Sequence, residues 1–290
     1  MSNVQLQLAS GALSGFASTV CLQPFDLVKT RLQQIDHGLP LTRTGAIDAT
    51  RLVLSSQGVK GLWRGTSASL IRNVPGVAMY MAGLTQFRTA LAASGYFTIA
   101  HSTSQSDKSV LPKLTAQGNL IAGATTRVAV GFLLNPISLL KTRFESNLYA
   151  YNGVFEALKG MNRSELFRGF LATSLRDAPY AGLFVVFYEG IKRDFPFPDC
   201  PPTMVHSSSG AAAGALATLA THPFDVVKTK IQVRSDAQYQ SFAQTVATIW
   251  KQRGIAGYFD GASLRLGRKV LSSAIGWAVY EGLLIFVRTM

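Results

Sequence analysis

A proline, an acid and a lysine recur in fixed order at three places in this chain. The first copy is Pro24-Phe25-Asp26-Leu27-Val28-Lys29-Thr30-Arg31 and the third is Pro223-Phe224-Asp225-Val226-Val227-Lys228-Thr229-Lys230. The second, Pro136-Ile137-Ser138-Leu139-Leu140-Lys141-Thr142-Arg143, carries serine where the others carry aspartate. Residues three apart share a face of a helix, so each complete copy presents a carboxylate and an ammonium side by side. Such residues can form ion pairs with neighbouring segments. They do not form a nucleophile with its base. The histidines (His37, His101, His206 and His222) are dispersed, and no metal-ligand spacing accompanies them. An enzyme is therefore not expected.

A second recurring set is basic. Trp63-Arg64-Gly65, Phe167-Arg168-Gly169 and Phe259-Asp260-Gly261 are aromatic-x-Gly steps, and an arginine follows each glycine by seven residues: Arg72, Arg176 and Arg268. Equal offsets put these arginines at one level of equivalent helices. The residues beside them differ, being Asn73, Asp177 and Lys269. Where the copies disagree at a repeated level, selectivity is expected to be encoded. A guanidinium can fork onto a carboxylate, and Asp177 can accept from an ammonium. Tyr180 lies one helical turn beyond Arg176, where either narrowing a cavity or plain packing is open to it.

Long apolar segments must position these residues. Six are long enough to span a bilayer: residues 6–34, 67–91, 115–146, 170–192, 204–233 and 262–288. About 20 residues cross a ~30 Å hydrocarbon core, and longer helices tilt, kink or protrude. The motif prolines lie inside the odd-numbered segments, where kinks are expected. Short amphipathic stretches at 45–57, 154–161 and 241–253 separate the members of each pair and suit an interface. Linkers at 95–114, rich in serine, and at 194–202, rich in proline, divide three repeats, 1–95, 115–195 and 203–290, of one transmembrane domain. Gly11 with Gly15 and Gly210 with Gly214 are spaced for close helix approach. In the second copy Gly123 is followed by Arg127, which must face water or a partner if it lies within a membrane.

The composition agrees with this reading. Of 290 residues, 48% are hydrophobic and only 15% charged, which is apolar for a soluble protein. The net charge of +13 falls mainly at the ends of apolar segments, where it suits anionic lipid or an anionic substrate. No soluble basic module with stacking aromatics is present, so a nucleic-acid partner is not expected. Cys21 and Cys200 have no metal or redox spacing, and Cys21 is expected to pack inside its helix. Residues 1–7 lack the features of a signal peptide, so targeting information is expected within the chain.

Three Pro-x-Asp-x-x-Lys motifs, two long apolar helices per repeat and the aromatic-x-Gly steps together resemble the mitochondrial carrier family, solute carrier family 25. The resemblance covers essentially the whole chain. It implies an all-α membrane protein: six transmembrane helices in a three-fold pseudosymmetric barrel, with short matrix helices, in the mitochondrial inner membrane. Within the family, residues 175–182 (Leu-Arg-Asp-Ala-Pro-Tyr-Ala-Gly), 141–146 (Lys-Thr-Arg-Phe-Glu-Ser) and 274–281 (Ala-Ile-Gly-Trp-Ala-Val-Tyr-Glu), with Arg127, look most like the glycine-carrying members. The implied activity is import of glycine into the matrix for 5-aminolevulinate and haem synthesis. Carriage of another small amino acid, or of an anionic or phosphorylated metabolite, is the alternative, and a proton-leak or structural membrane protein is a third class.

The resemblance also implies roles. A matrix gate would comprise Asp26, Lys29, Gln33, Ser138, Lys141, Asp225, Lys228 and Gln232, with Asp26 meeting Lys141 and Asp225 meeting Lys29. Ser138 removes the acid that would face Lys228. Gln33 and Gln232 match the family's bracing glutamines, with Glu145 at that position in the second repeat. A cytoplasmic gate would draw on Arg88, Tyr188, Glu189, Lys192, Tyr280 and Glu281, although each of these charges equally suits a headgroup anchor. Substrate contacts would come from Arg72, Arg127, Arg176, Asp177, Tyr180, Arg268 and Lys269. Cardiolipin would bind at Gly65, Gly153 and Gly261, with Asp260 weakening the third site. No cofactor is expected beyond structural cardiolipin, and the family favours a monomer.

Overall fold

The computed structural model describes residues 3–35, 45–94, 96, 114–149, 151, 153–193 and 202–289. Most of both linkers lies outside the described residues, as do Cys200, His37 and His101. The side chains of residues 1–12, His206, Tyr280 and Glu281 are likewise not described.

The described regular elements are helical. They are α1 (Asn3–Gln34), α2 (Ala46–Gln57), α3 (Thr66–Ala93), α4 (Ala116–Glu145), α5 (Val154–Lys159), α6 (Arg163–Leu166), α7 (Phe170–Arg193), α8 (Pro202–Ala220), α9 (His222–Val233), α10 (Phe242–Arg253) and α11 (Ala262–Thr289). Five of the expected long segments are continuous helices. The fifth segment in chain order is divided at Thr221 into α8 and α9. Pro223 thereby falls in the first turn of α9, where a missing N–H breaks no helical bond. Pro24 and Pro136 instead lie inside unbroken helices. Pro24 cannot donate to the Val20 carbonyl four residues back, and the Trp63 indole does so at 2.9 Å. The aromatic of the first step thus repairs the proline's lost bond.

Two compact units are present. The first comprises Met1–Pro75, Asn135–Gly169 and Val226–Met290, and the second Gly76–Leu134 and Phe170–Asp225. In the first, α1 packs along α11, and Ala68, Leu140, Phe144, Val154 and Ala157 form a buried apolar cluster. In the second, α7 packs along α8.

Polar side chains are buried alongside that apolar cluster, and large apolar ones are exposed. Asp26, Gln33, Ser138, Arg143, Glu145, Asp225, Lys228 and Gln232 are buried, while Leu13, Phe16, Phe132, Leu133, Val186 and Leu216 are exposed. Cys21, expected to pack, is exposed with these apolar residues. Among the described residues, Gln117–Glu145 alone is both long and apolar enough to cross a bilayer on composition, and only 22% of its apolar window is buried. The small-residue spacing does not bring close packing everywhere. A Cβ at Gly15 or Gly210 would meet nothing within 4 Å, whereas one at Gly123 would lie 3.8 Å from the Tyr80 hydroxyl.

Candidate functional site

In the first unit Asp26 is held from two sides. Lys141 Nζ lies 2.7 Å from Oδ2 and Arg268 Nε 2.5 Å from Oδ1. The pair of Asp26 with Lys141 is the one the resemblance implies. Lys141 also stands 3.6 Å from Glu145, one turn further along its own helix. Lys228 Nζ donates to Ser138 Oγ at 3.3 Å, so a hydroxyl occupies the place of the missing acid.

A ring of hydrogen bonds surrounds these pairs, donated by residues to which the sequence reading gave no role. The threonine after each motif lysine donates to a bracing residue of another copy. Thr30 donates to Glu145 Oε2 at 2.8 Å, Thr142 to Gln232 Oε1 at 3.0 Å and Thr229 to Gln33 Oε1 at 2.7 Å. The cation after each threonine caps carbonyls at the end of the same partner helix. Arg31 Nε reaches the Glu145 carbonyl at 2.8 Å, Arg143 Nε the Gln232 carbonyl at 3.2 Å and Lys230 Nζ the Ile35 carbonyl at 2.8 Å. Cations at helix C-termini satisfy orphan acceptors and oppose the helix dipole. The signal was present as a triplicate Lys-Thr-cation, which was legible as a repeat but not as a contact.

The bracing residues also touch the aromatic-x-Gly steps. Gln33 donates to the Asp260 carbonyl at 3.2 Å and Gln232 to the Arg168 carbonyl at 3.5 Å. Gly65, Gly169 and Gly261 have φ of 88°, 76° and 77°. A Cβ at these positions would approach Glu145, Gln232 and Lys29 at 3.3, 2.8 and 3.2 Å. Gly153 is different, an extended N-cap of α5. The basic residues of the steps turn to the protein itself: Arg64 donates to the Tyr149 carbonyl at 2.6 Å and Arg168 to that of Arg234 at 2.7 Å. Burial lowers the pKa of Arg168, and the guanidinium stays charged at any ordinary pH. Asp260 instead takes both its oxygens to Arg253, at 2.7 and 2.9 Å.

Of the residues expected to meet substrate, Arg72 donates to Asn73 at 3.3 Å, and Asn73 to the Thr19 hydroxyl at 3.1 Å, within the first unit. Lys269 is exposed on α11. In the second unit Arg176 grips Asp177 through Nε and Nη2 at 2.7 and 3.1 Å, and reaches Asp225 through Nη1 at 2.9 Å. Asp225 therefore accepts from an arginine of the set expected to meet substrate. Tyr180 is half-buried one turn along α7. Arg127, expected to face water or a partner, is exposed on α4 and lies over the Tyr80 ring at 4.6 Å. At the far end of α7, Tyr188 stacks on Phe184 at 6.1 Å and Lys192 lies 5.9 Å from the Tyr188 ring. Glu189 is exposed and Arg88 half-buried.

A sequence model described as mitochondrial carrier protein matches this chain three times, at residues 2–95, 112–197 and 201–290. The chain belongs to the mitochondrial carrier family. Similar proteins include one from Laccaria bicolor named mitochondrial glycine transporter, 63% identical, with 100% of this chain and 99% of that protein aligned. Proteins of the same name from Coccidioides immitis and Emericella nidulans are 41% and 40% identical, covering 99% and 98% of this chain and 91% and 89% of their own lengths. As a carrier-family chain, it keeps the family's charged motif in its first and third copies and departs from it at Ser138. It departs again at Asn162. Gly58 and Gly254, before the first and third steps, have φ of 66° and 58° and lead into 3-10 turns at Val59–Trp63 and Gly254–Phe259. Asn162 is extended at φ −72° and opens the short helix α6 instead.

Proposed function

We propose that this carrier-family chain imports glycine into the mitochondrial matrix as a multi-pass protein of the inner membrane. The observation that carries this reading is the full-length 63% identity to a protein named for that transport. The chemistry at Arg176 and Asp177 agrees with it. A guanidinium and a carboxylate held side by side present one group for each end of a zwitterion, the ammonium to Asp177 and the carboxylate to Arg176. The basic surplus that motivates an anionic cargo is smaller than the sequence implies, because Arg176 and Arg268 already face carboxylates. That favours a small zwitterion over a phosphorylated metabolite.

The fold supporting the activity is a six-helix barrel of three repeats, with α2, α5 and α10 as matrix helices, acting as a monomer. Cardiolipin would sit at the helix starts near Gly65, Gly153 and Gly261, where N–H groups suit phosphate. Asp26 with Lys141, and the ring through Thr30, Thr142 and Thr229, would close the matrix side. Arg88, Glu189, Lys192 and Glu281 would close the opposite one. Transport proceeds by alternating access, with glycine shifting the balance through its differential affinity for the two states. The imported glycine feeds 5-aminolevulinate and haem synthesis. Uptake of radiolabelled glycine into proteoliposomes, against a panel of amino acids and anions, tests the reading. Entry of another solute with no entry of glycine would overturn it.

A further inference from the structure

We propose that the cavity beside Arg31 is a binding site for a small monocarboxylate with a short apolar tail. The cavity, of about 300 Å³, lies within the first unit between the end of α1, α2 and Asn147. Arg31, Gln34, Asn147 and Ser56 line it together with the apolar Leu52 and Val53. That volume takes roughly ten waters, or one small ligand of the same bulk, and is too small for a two-chain lipid.

Arg31 is the reason to expect an anion. It is only 8% exposed. Its Nε is spent on the Glu145 carbonyl, and its Nη2 has Gln57 Oε1 at 3.5 Å, a weak bond. Among the described residues no carboxylate and no aromatic ring pairs with it, and the charge that acts on it is that of Arg64, of like sign. The equivalent cations of the other repeats are provided for. Arg143 lies 3.2 Å from Glu165 and 4.6 Å from the Tyr149 ring, and Lys230 lies 5.3 Å from the Tyr239 ring. A buried cation without a counter-charge is costly, and an external carboxylate relieves that cost.

The third repeat shows what kind of body fits. Tyr239 is fully buried against Lys230 and sends its hydroxyl to Gln252 Oε1 at 3.3 Å. Counted from the helix starts, Gln252 has the place in α10 that Ser56 has in α2. The chain thus fills the third copy of the cavity with a compact, largely apolar group that ends in a polar atom.

Donor number selects a carboxylate over a phosphate. Gln34 Nε2 donates to Asn147 Oδ1, which leaves the Asn147 N–H groups to give. These and the Nη edge of Arg31 match the two oxygens of a carboxylate. A phosphate brings further oxygens, which would be pressed without donors against Leu52 and Val53. A bound carboxylate ties α1 and α2 to the segment after α4. Thr30 and Glu145 join the same two long helices, so occupancy opposes the separation of α1 from α4.

The test is the unfolding temperature of the purified full chain in detergent, with sodium hexanoate, sodium phosphate and sodium chloride at matched ionic strength. Hexanoate should raise it in wild type by about 2–4 °C near saturation, beyond the chloride control. Gln57→Glu gives Arg31 a carboxylate of its own, as Glu165 does for Arg143. That variant should unfold at higher temperature and lose the hexanoate shift. Ser56→Trp, at an exposed position on the cavity, should fill it and lose the shift as well, which covers failure of Gln57→Glu to fold. No shift in wild type beyond chloride, or an undiminished shift in the variants, overturns the site. A phosphate shift as large as that of hexanoate overturns the choice of carboxylate. In proteoliposomes, hexanoate on both faces should lower the wild-type kcat for glycine about threefold and spare Gln57→Glu. Equal inhibition of both overturns the link to the bonds between α1 and α4. Absence of glycine uptake by wild type would sink the transport reading alone, since the unfolding measurements do not depend on it.

Discussion

Gln23 Nε2 lies 3.2 Å from Glu145 Oε1 and 3.1 Å from the Arg64 carbonyl. In the other two copies the bracing residue is a glutamine, and its own amide serves the carbonyl of the aromatic-x-Gly step. A carboxylate has no N–H to give, so Gln23 supplies one, steadied by Ser69 Oγ on its own oxygen at 2.9 Å. Glu145→Gln should therefore fold with near-wild-type stability, within about 1 kcal/mol, because the new amide takes over that bond. Glu145→Ala strips Thr30 of its side-chain acceptor and Gln23 of one of its two in a buried site, and should cost about 2–3 kcal/mol. Thermal unfolding in detergent distinguishes them; equal losses would mean the brace has no geometric specificity.

Glycine is required at the steps for two separable reasons. Gly58 has φ of 66° and ψ of −172° with nothing within 4 Å of an added Cβ, so Gly58→Ala carries backbone strain alone, about 1–3 kcal/mol. Gly169 has φ of 76° and a Cβ there would lie 2.8 Å from Gln232 Cγ. Gly169→Ala should lower the unfolding temperature distinctly more than Gly58→Ala. Gly261→Ala, with Lys29 Cγ at 3.2 Å, should fall between them. A reversed order would show that Gln232 yields freely.

The long helices were legible because apolar length is a local property; their ends fall within a few residues of those read from the sequence. The division at Thr221 was not, since Pro24, Pro136 and Pro223 look alike and only the surrounding packing separates them. The pair of Asp26 with Lys141 was legible only through the family resemblance, since the repeats mark the residues and not their partners. The bonds of Thr30, Thr142 and Thr229 were visible as a pattern but silent as to partner, because a hydroxyl suits many acceptors. The pair of Arg176 with Asp225 joins residues 49 apart from different motifs, and no spacing rule connects them.

Ser138 offers a direct handle on the incomplete ion-pair set. Its hydroxyl already lies 3.3 Å from Lys228 Nζ, so Ser138→Asp brings a carboxylate to a cation in place. Exchanging a neutral acceptor for a charged one should add about 1–2 kcal/mol. The purified variant should unfold at higher temperature. Its glycine kcat should fall up to about tenfold if the added pair must break in each cycle. A rise in stability with unchanged kcat would detach Ser138 and Lys228 from the rate-limiting movement.

Tyr80 carries the last expectation. Its ring lies 4.6 Å from the Arg127 guanidinium, and stacking on a face leaves the N–H edge of arginine pointed elsewhere. A cation over an aromatic ring is worth about 0.5–2 kcal/mol, with most of the attraction coming from the ring rather than the hydroxyl. Tyr80→Phe should therefore keep glycine KM close to wild type. Tyr80→Leu keeps an apolar surface but loses the quadrupole, and should raise KM roughly threefold to tenfold if Arg127 lies on the substrate's path. Arg127→Lys should resemble Tyr80→Leu, because an ammonium cannot both stack and present a fork of donors. Equal KM values for Tyr80→Phe and Tyr80→Leu, both near wild type, would reduce the contact to packing and remove Arg127 from the recognition of the carboxylate.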